Sequence, residues 1–133
     1  MSPLGVPCTK PPWGNLTAID LNTGDHLWQI PLGTSKDLAP FPFWWIKGAP
    51  NVGGPTVTAS GLTFIAATSD YYLRAFNTET GDELAKFRLP TGGHATPMTY
   101  KTKNGRQIVV IAAGGHWAVG SPASDHLIAF ALP

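Results

Sequence analysis

Ala18-Ile19-Asp20-Leu21-Asn22-Thr23-Gly24-Asp25-His26-Leu27-Trp28 is the stretch that decides the fold of this chain. An apolar run ends in a polar turn, where Gly24 supplies the positive φ of a tight hairpin, and a second short strand follows with Trp28 as a large apolar cap. The pattern returns as Ala75-Phe76-Asn77-Thr78-Glu79-Thr80-Gly81-Asp82-Glu83-Leu84-Ala85. Its first strand returns a third time as Leu127-Ile128-Ala129-Phe130-Ala131-Leu132. The aligned alanines at 18, 75 and 129 recur at intervals of about 55 residues, which makes a repeat rather than a coincidence of composition.

The segments around these hairpins follow the same logic. Strands are expected at Leu16 to Leu21 and His26 to Ile30. A complete four-strand unit follows at Pro55 to Ala59, Leu62 to Thr68, Tyr72 to Asn77 and Glu83 to Leu89, with turns at Ser60-Gly61, Ser69-Asp70 and Thr80-Gly81. A further unit starts at Ala95 to Tyr100, continues through Gln107 to Ala113 and ends on His126 to Leu132, without a fourth strand. A repeat of four short antiparallel strands is a propeller blade. The expected fold is therefore all-β, a partial β-propeller of about two and a half four-stranded antiparallel blades. Residues 1–30 hold an irregular lead-in and the outer hairpin of one blade. Residues 31–54 hold a long aromatic loop, 55–90 a complete blade and 91–133 three strands of the last.

Composition agrees with this and excludes several functions. The 133 residues are 43% hydrophobic, enough for a sizeable core, while 15 Gly and 13 Pro fall between the apolar runs as turns do. Nine Lys and Arg against eight Asp and Glu leave no basic run to follow a phosphate backbone, so nucleic acid is not an expected partner. No apolar run reaches the length of a membrane-spanning helix, and Met1 to Pro7 lacks the pattern of a secretion signal. The single Cys8 cannot close an internal disulfide and reads as an unreactive thiol. None of the four histidines has a metal-ligand spacing to another His, Cys or carboxylate.

Strand order maps the loops. With strands A to D running outward from the axis, the B-to-C and D-to-A connections share one face: Pro31 to Gly54, Ser69 to Tyr71, Pro90 to His94 and Gly114 to Asp125. In propellers this is commonly the ligand face. His116 leads the candidate site residues, because Gly114 and Gly115 before it allow close backbone approach to a ligand. Asn51, with Gly53 and Gly54, enters strand A near the axis and reads either as a pocket residue or as a turn-forming Asn. His94 shares the Gly-Gly-His context and reads first as a loop histidine bonded to its surroundings, second as a pocket residue. Trp44 and Trp45 are expected to cover apolar blade surface rather than line a channel. Asp70 and Arg74 are expected to be structural, and Asp20 to accept backbone N–H bonds within its turn.

The spacing Ala-x-Asp-x-x-Thr-Gly-x-x-x-Trp over residues 18–28 resembles the tryptophan-docking motif of quinoprotein dehydrogenases, which use pyrroloquinoline quinone (PQQ). The resemblance extends through Pro7-Cys8, Pro11-Pro12-Trp13-Gly14, Pro50-Asn51-Val52-Gly53-Gly54-Pro55, Asp70-Tyr71-Tyr72-Leu73-Arg74-Ala75, Ala95-Thr96-Pro97-Met98-Thr99-Tyr100, Ala113-Gly114-Gly115-His116 and Ile128-Ala129-Phe130-Ala131-Leu132-Pro133. Together these look like the C-terminal part of the membrane-bound glucose, quinate and shikimate dehydrogenases. The resemblance implies an eight-bladed propeller on the periplasmic side of the bacterial inner membrane. It implies oxidation of a sugar or polyol, with PQQ and Ca²⁺ as cofactors and ubiquinone as the electron acceptor. It also implies that His116 lies in the cofactor and substrate pocket, with Gly114, Gly115, Asn51, Gly53, Gly54 and His94 beside it. Nothing in the chain matches the family's catalytic Asp, its metal-binding Glu and Asn or its PQQ-stacking Trp, so the chain alone is expected to be inactive. Its natural partners would be the remaining blades, and a wedge with two open sides is expected to self-associate. The competing expectation is a non-enzymatic propeller that serves as a scaffold for protein partners. At the second docking motif Ala85 stands where the first has Trp28, so one contact between blades is expected to be missing.

Overall fold

The computed structural model describes residues 7–131; the start of the lead-in and the last two residues lie outside the described residues. Among these, strands β1 (Asn15–Ile19) and β2 (His26–Pro31) pair as one hairpin. Strands β3 (Thr56–Val57), β4 (Leu62–Ile65), β5 (Tyr72–Asn77) and β6 (Glu83–Arg88) form a four-stranded sheet in sequence order. Strands β7 (Met98–Lys101), β8 (Gln107–Ala113) and β9 (His126–Ala131) form a three-stranded one. Every pairing is antiparallel. The chain is a partial propeller.

The repeat holds at the level of individual bonds. Ala18 pairs with Trp28 and Ala75 with Ala85, and in both hairpins the register shifts immediately after that alanine. Gly24 N–H donates to Asp20 O, and Gly81 N–H to Asn77 O. The Asp20 carboxylate accepts Asn22 N–H at 2.8 Å, and the Asn77 side-chain oxygen accepts Glu79 N–H at 2.8 Å. These are the Asx interactions that favour Asp and Asn at the head of such turns.

The inner strands of the middle sheet, β4 and β5, pack on both faces, because side chains alternate along them. Phe76 and Ile65 join Leu16, Leu32 and Ala67 in a core shared with the first hairpin, and Trp28 and Ile30 pack against it. Leu73, Leu89 and Ala66 join Ile111 and Ala113 in a second core shared with the last sheet. The first core closes with the Trp28 indole, whose Nε1–H donates to Thr78 O at 3.0 Å. A Cβ on Gly81 would lie 2.8 Å from the same ring. Trp28 therefore docks one repeat onto the turn of the next. At the second interface Ala85 leaves that position empty. An apolar groove of about 740 Å³ opens there between the sheets, lined by Leu84, Ala85, Phe87, Val109 and Phe130 among others.

Three expected strands are shorter in the structure, each for a local reason. Pro55 and Pro97 carry no N–H for a ladder, so β3 and β7 begin after them. The strand expected at Leu62 to Thr68 stops at Ile65, because Ala67 turns to a φ of +48° and gives its N–H to Gly93 O on the neighbouring loop. Trp44 and Trp45 correct another expectation. They sit in a short 3-10 turn, Phe43–Trp45, with relative exposures of 45% and 73%, and so cover little blade surface. The loop folds back on itself instead, through a bridge between Thr34 and Lys47, and packs Phe41 edge-on against Trp44. Trp45 lines a shallow groove with Pro11, Pro12 and Pro31, and is left mostly open to solvent.

Candidate functional site

The four loops expected to share a face touch one another. Val52 N–H donates to Ala67 O, Ala67 N–H to Gly93 O and Gly115 N–H to Gly92 O, so the segments around residues 52, 67, 92 and 115 form one backbone web. Thr91 Oγ1 donates to Pro122 O at 2.7 Å, which ties the Gly114–Asp125 loop to the β6–β7 connection. Asn51 forms an isolated bridge with Thr68. Backbone bonds among these connections thus hold residues from well-separated parts of the chain at one edge of the wedge.

His94 sits at the centre of this web. Its Nδ1 lies 3.2 Å from Val52 O and its Nε2 2.9 Å from Ser121 Oγ. Burial pushes its pKa below the ordinary 6.5, a tendency that the Val52 and Ala67 carbonyls oppose and His116 reinforces. The His116 ring lies edge-on to it, with centroids 5.9 Å apart. His116 is half-buried; its Nδ1 accepts Ala118 N–H at 3.3 Å, and its backbone N–H donates to Ser121 Oγ at 2.8 Å. The ring also stacks on Trp117, which is 89% exposed. Among the described residues neither His116 Nε2 nor the Asn51 side chain has a hydrogen-bond partner. Both remain available to a ligand; the Asn51 amide lies against Gly14, where a Cβ would come within 2.6 Å of its Nδ2.

Beneath the web lies a buried charge cluster. Asp70 and Arg74 pair as buried ions, and the same carboxylate accepts Thr34 N–H at 2.8 Å and Thr68 Oγ1–H at 2.6 Å. Burial works to raise the Asp70 pKa, but the hydrogen bond and charge of Arg74, with Thr68 and Thr34, outweigh it and hold the carboxyl below its ordinary 3.8. Arg74 also reaches Glu83 at 3.1 Å. Arg88 grips Asp37 with both terminal nitrogens, at 2.6 and 2.7 Å, and donates to Asp70 O at 2.7 Å. It also lies over the rings of Tyr71 and Tyr72. These contacts fasten the start of the aromatic loop to the middle sheet. Two residues with positive φ, Ala67 at +48° and Tyr71 at +55°, flank the cluster, a strained conformation for side chains of this kind.

The candidate residues from the sequence fall into two groups. His116, Gly114, Gly115, His94, Gly53 and Asn51 lie in the web described above, whereas Gly54 stands a step further along, its missing Cβ facing Thr96 Oγ1 at 3.0 Å. Ser121 was not singled out by any motif; its place in the loop after Gly114 is the only sequence signal it carries. Among the described residues no group of three or more His, Cys, Asp or Glu could hold a metal ion. The groups left without a partner here are an imidazole and an amide, both able to donate to an oxygen-rich organic acceptor.

The PQQ family described as glucose/ethanol/alcohol dehydrogenase, β-propeller domain, matches residues 1–109. Quinoprotein glucose dehydrogenase of Escherichia coli K12 is 48% identical over 137 residues, covering 100% of this chain and 17% of that protein. Quinate/shikimate dehydrogenase (quinone) of Acinetobacter baylyi is 52% identical over 138 residues, covering 99% of this chain and 17% of that protein. Among solved structures, a europium-containing methanol dehydrogenase superposes with a TM-score of 0.59 at 26% identity, over 76% of this chain and 15% of its own. The chain thus spans about a sixth of the length of the curated relatives it matches.

Proposed function

We propose that this chain, which belongs to the PQQ family of glucose, ethanol and alcohol dehydrogenase β-propellers, forms one wall of the cofactor pocket of a quinoprotein that oxidises a sugar or cyclic polyol. The observation that carries the reading is the pair of unpartnered polar groups, His116 Nε2 and the Asn51 amide, in the loops that converge on one face, with the His116 ring packed edge-on against His94. PQQ, when bound, would accept the electrons taken from the substrate hydroxyl. The chain's own part is binding. With Nδ1 engaged as an acceptor, His116 carries its proton on Nε2 and donates from there to a carboxylate or carbonyl oxygen. The Asn51 amide offers a further donor. Gly114, two residues before His116, leaves open backbone, since a Cβ there would meet nothing nearer than Ser124 O at 3.6 Å.

No group of three or more His, Cys, Asp or Glu among the described residues could hold Ca²⁺, and on this reading the ion and the catalytic carboxylate are assigned to other blades of the intact enzyme. This chain alone is inactive on that reading. Near-equal identity to a glucose enzyme and to a quinate/shikimate enzyme leaves the substrate class at a sugar or polyol. Ubiquinone as acceptor and a periplasmic site on the inner membrane complete the proposal; no described helix is long and apolar enough to cross a membrane, so an anchor would lie elsewhere in the protein.

The test is reconstitution of the intact protein with PQQ and Ca²⁺, followed by substrate-dependent reduction of a soluble quinone analogue with glucose, quinate, shikimate and glycerol. Turnover with at least one is expected in the intact protein and none in this chain. Turnover by the 133-residue chain would overturn the assignment of the catalytic groups, and failure of the intact protein to bind PQQ would favour the scaffold reading.

A further inference from the structure

On the reading that His116 meets the cofactor, we infer that His94 is a positioning residue for it, acting through the buried hydroxyl of Ser121. Val52 O can only accept, so His94 Nδ1 carries the proton and donates to it. His94 Nε2 is then a bare acceptor, and Ser121 O–H, 2.9 Å away, is its donor. With its hydrogen so committed, Ser121 Oγ accepts the backbone N–H of His116 at 2.8 Å. The bonds then run in one direction, from Val52 through His94 and Ser121 to His116. The competing bond from Ser121 Oγ to His116 O is longer, at 3.4 Å.

Ser121 is 4% exposed, so its hydroxyl cannot turn to water if His94 is lost. The space for the contact is kept clear at Gly92, where a Cβ would come within 2.7 Å of His94 Cδ2 and 2.8 Å of Ser121 Oγ. Val52, at the start of the chain of bonds, follows Asn51 directly. The relay therefore fixes the two available polar groups relative to each other, although they lie 65 residues apart in sequence.

Three variants test it. In His94→Gln the amide oxygen can stand where Nε2 stood and still accept from Ser121, whereas His94→Leu keeps volume and removes the acceptor. Ser121→Ala deletes the relay with the loss of one oxygen and serves if His94→Leu does not fold. Long-range proton–nitrogen NMR of the histidine rings should show His94 protonated on Nδ1 and His116 on Nε2. His94→Gln should leave the His116 signals in place; His94→Leu and Ser121→Ala should displace the His116 amide and mix its ring tautomers. In the intact protein, the same two variants should weaken PQQ binding about tenfold by optical titration, with His94→Gln near the parent value. The inference is overturned by an Nε2-protonated His94, by a His116 indifferent to Ser121→Ala, or by equal damage from Gln and Leu. Intact NMR coupling without PQQ binding by any form would instead sink the cofactor reading and leave the relay standing.

Discussion

Two glycines in equivalent turns separate the conformational demand of the hairpin from the docking of one repeat on the next. Gly24 has a φ of +80° and Gly81 a φ of +78°, so an alanine at either takes the same left-handed penalty, about 1 kcal/mol. The surroundings differ. A Cβ at residue 24 has nothing within 4 Å, while one at residue 81 lies 2.8, 2.9 and 3.2 Å from three atoms of the Trp28 indole. That ring is held in place by its bond to Thr78 O and by the core around Leu16 and Phe76, so it cannot withdraw freely. Overpacking of this kind adds about 1–3 kcal/mol. We expect Gly24→Ala to cost about 1 kcal/mol and Gly81→Ala about 2–4 kcal/mol in urea unfolding. Trp28→Ala removes the obstacle, at about 2–4 kcal/mol for a half-buried indole, and in that background Gly81→Ala should fall back to the Gly24→Ala value. Equal costs at the two glycines, or an excess at Gly81 that persists without Trp28, would refute the docking argument.

The remaining predictions concern the charge cluster and the open sides of the wedge. Because Asp70 is held below its ordinary 3.8 in the fold, its contribution is fully present above the unfolded carboxyl pKa and is lost as pH falls through the lower folded value. Stability measured between about pH 5 and 2 should therefore fall in the parent, and Asp70→Asn should flatten that dependence while costing about 3 kcal/mol near neutral pH. An unchanged acid limb in Asp70→Asn would show that other carboxylates control it. The exposed Leu84, Phe87 and Leu127, beside the outer edge of β9, should drive self-association of this chain at high concentration. Light scattering that shows only monomer would contradict this, whereas Leu127→Lys should favour the monomer if the edge is responsible.

The parts of the fold legible in the sequence are those fixed by neighbours along the chain. The bounds of β5 and β8 are read to the residue, because apolar runs and the turns that end them are local signals. Trp28 is legible as a docking residue because its partner, the next Gly turn, recurs one repeat later. What escapes is decided by carbonyls and hydroxyls from distant segments. Nothing near Leu62 to Thr68 announces that Ala67 will leave the sheet to meet Gly93 O, and no motif marks Ser121 as the contact between two histidines. Trp44 and Trp45 mislead for a related reason: aromatic composition predicts burial, but the described residues that meet them, Phe41 and Pro11, Pro12 and Pro31, cover only part of each ring.

The glycines of the face where the loops converge show how much of the candidate site answers to the fold itself. Paired glycines before a histidine suggest room for a ligand, yet most of them answer to the protein itself. Gly92 clears His94 and Ser121; Gly93 lies against Leu89, Ala66 and Ile111; Gly53 faces His94 O; Gly115, at a φ of +68°, is pressed on Pro122. A side chain at any of these would collide with the web before it met a cofactor. Gly114 differs, since its nearest contact, 3.6 Å, is an ordinary one. Its smallness has no explanation among the described residues, and it directly precedes the segment that His94 and Ser121 hold in place. Of the glycines the sequence singles out, Gly114 is therefore the one whose missing side chain argues for a bound group, and the others argue for the scaffold that positions it.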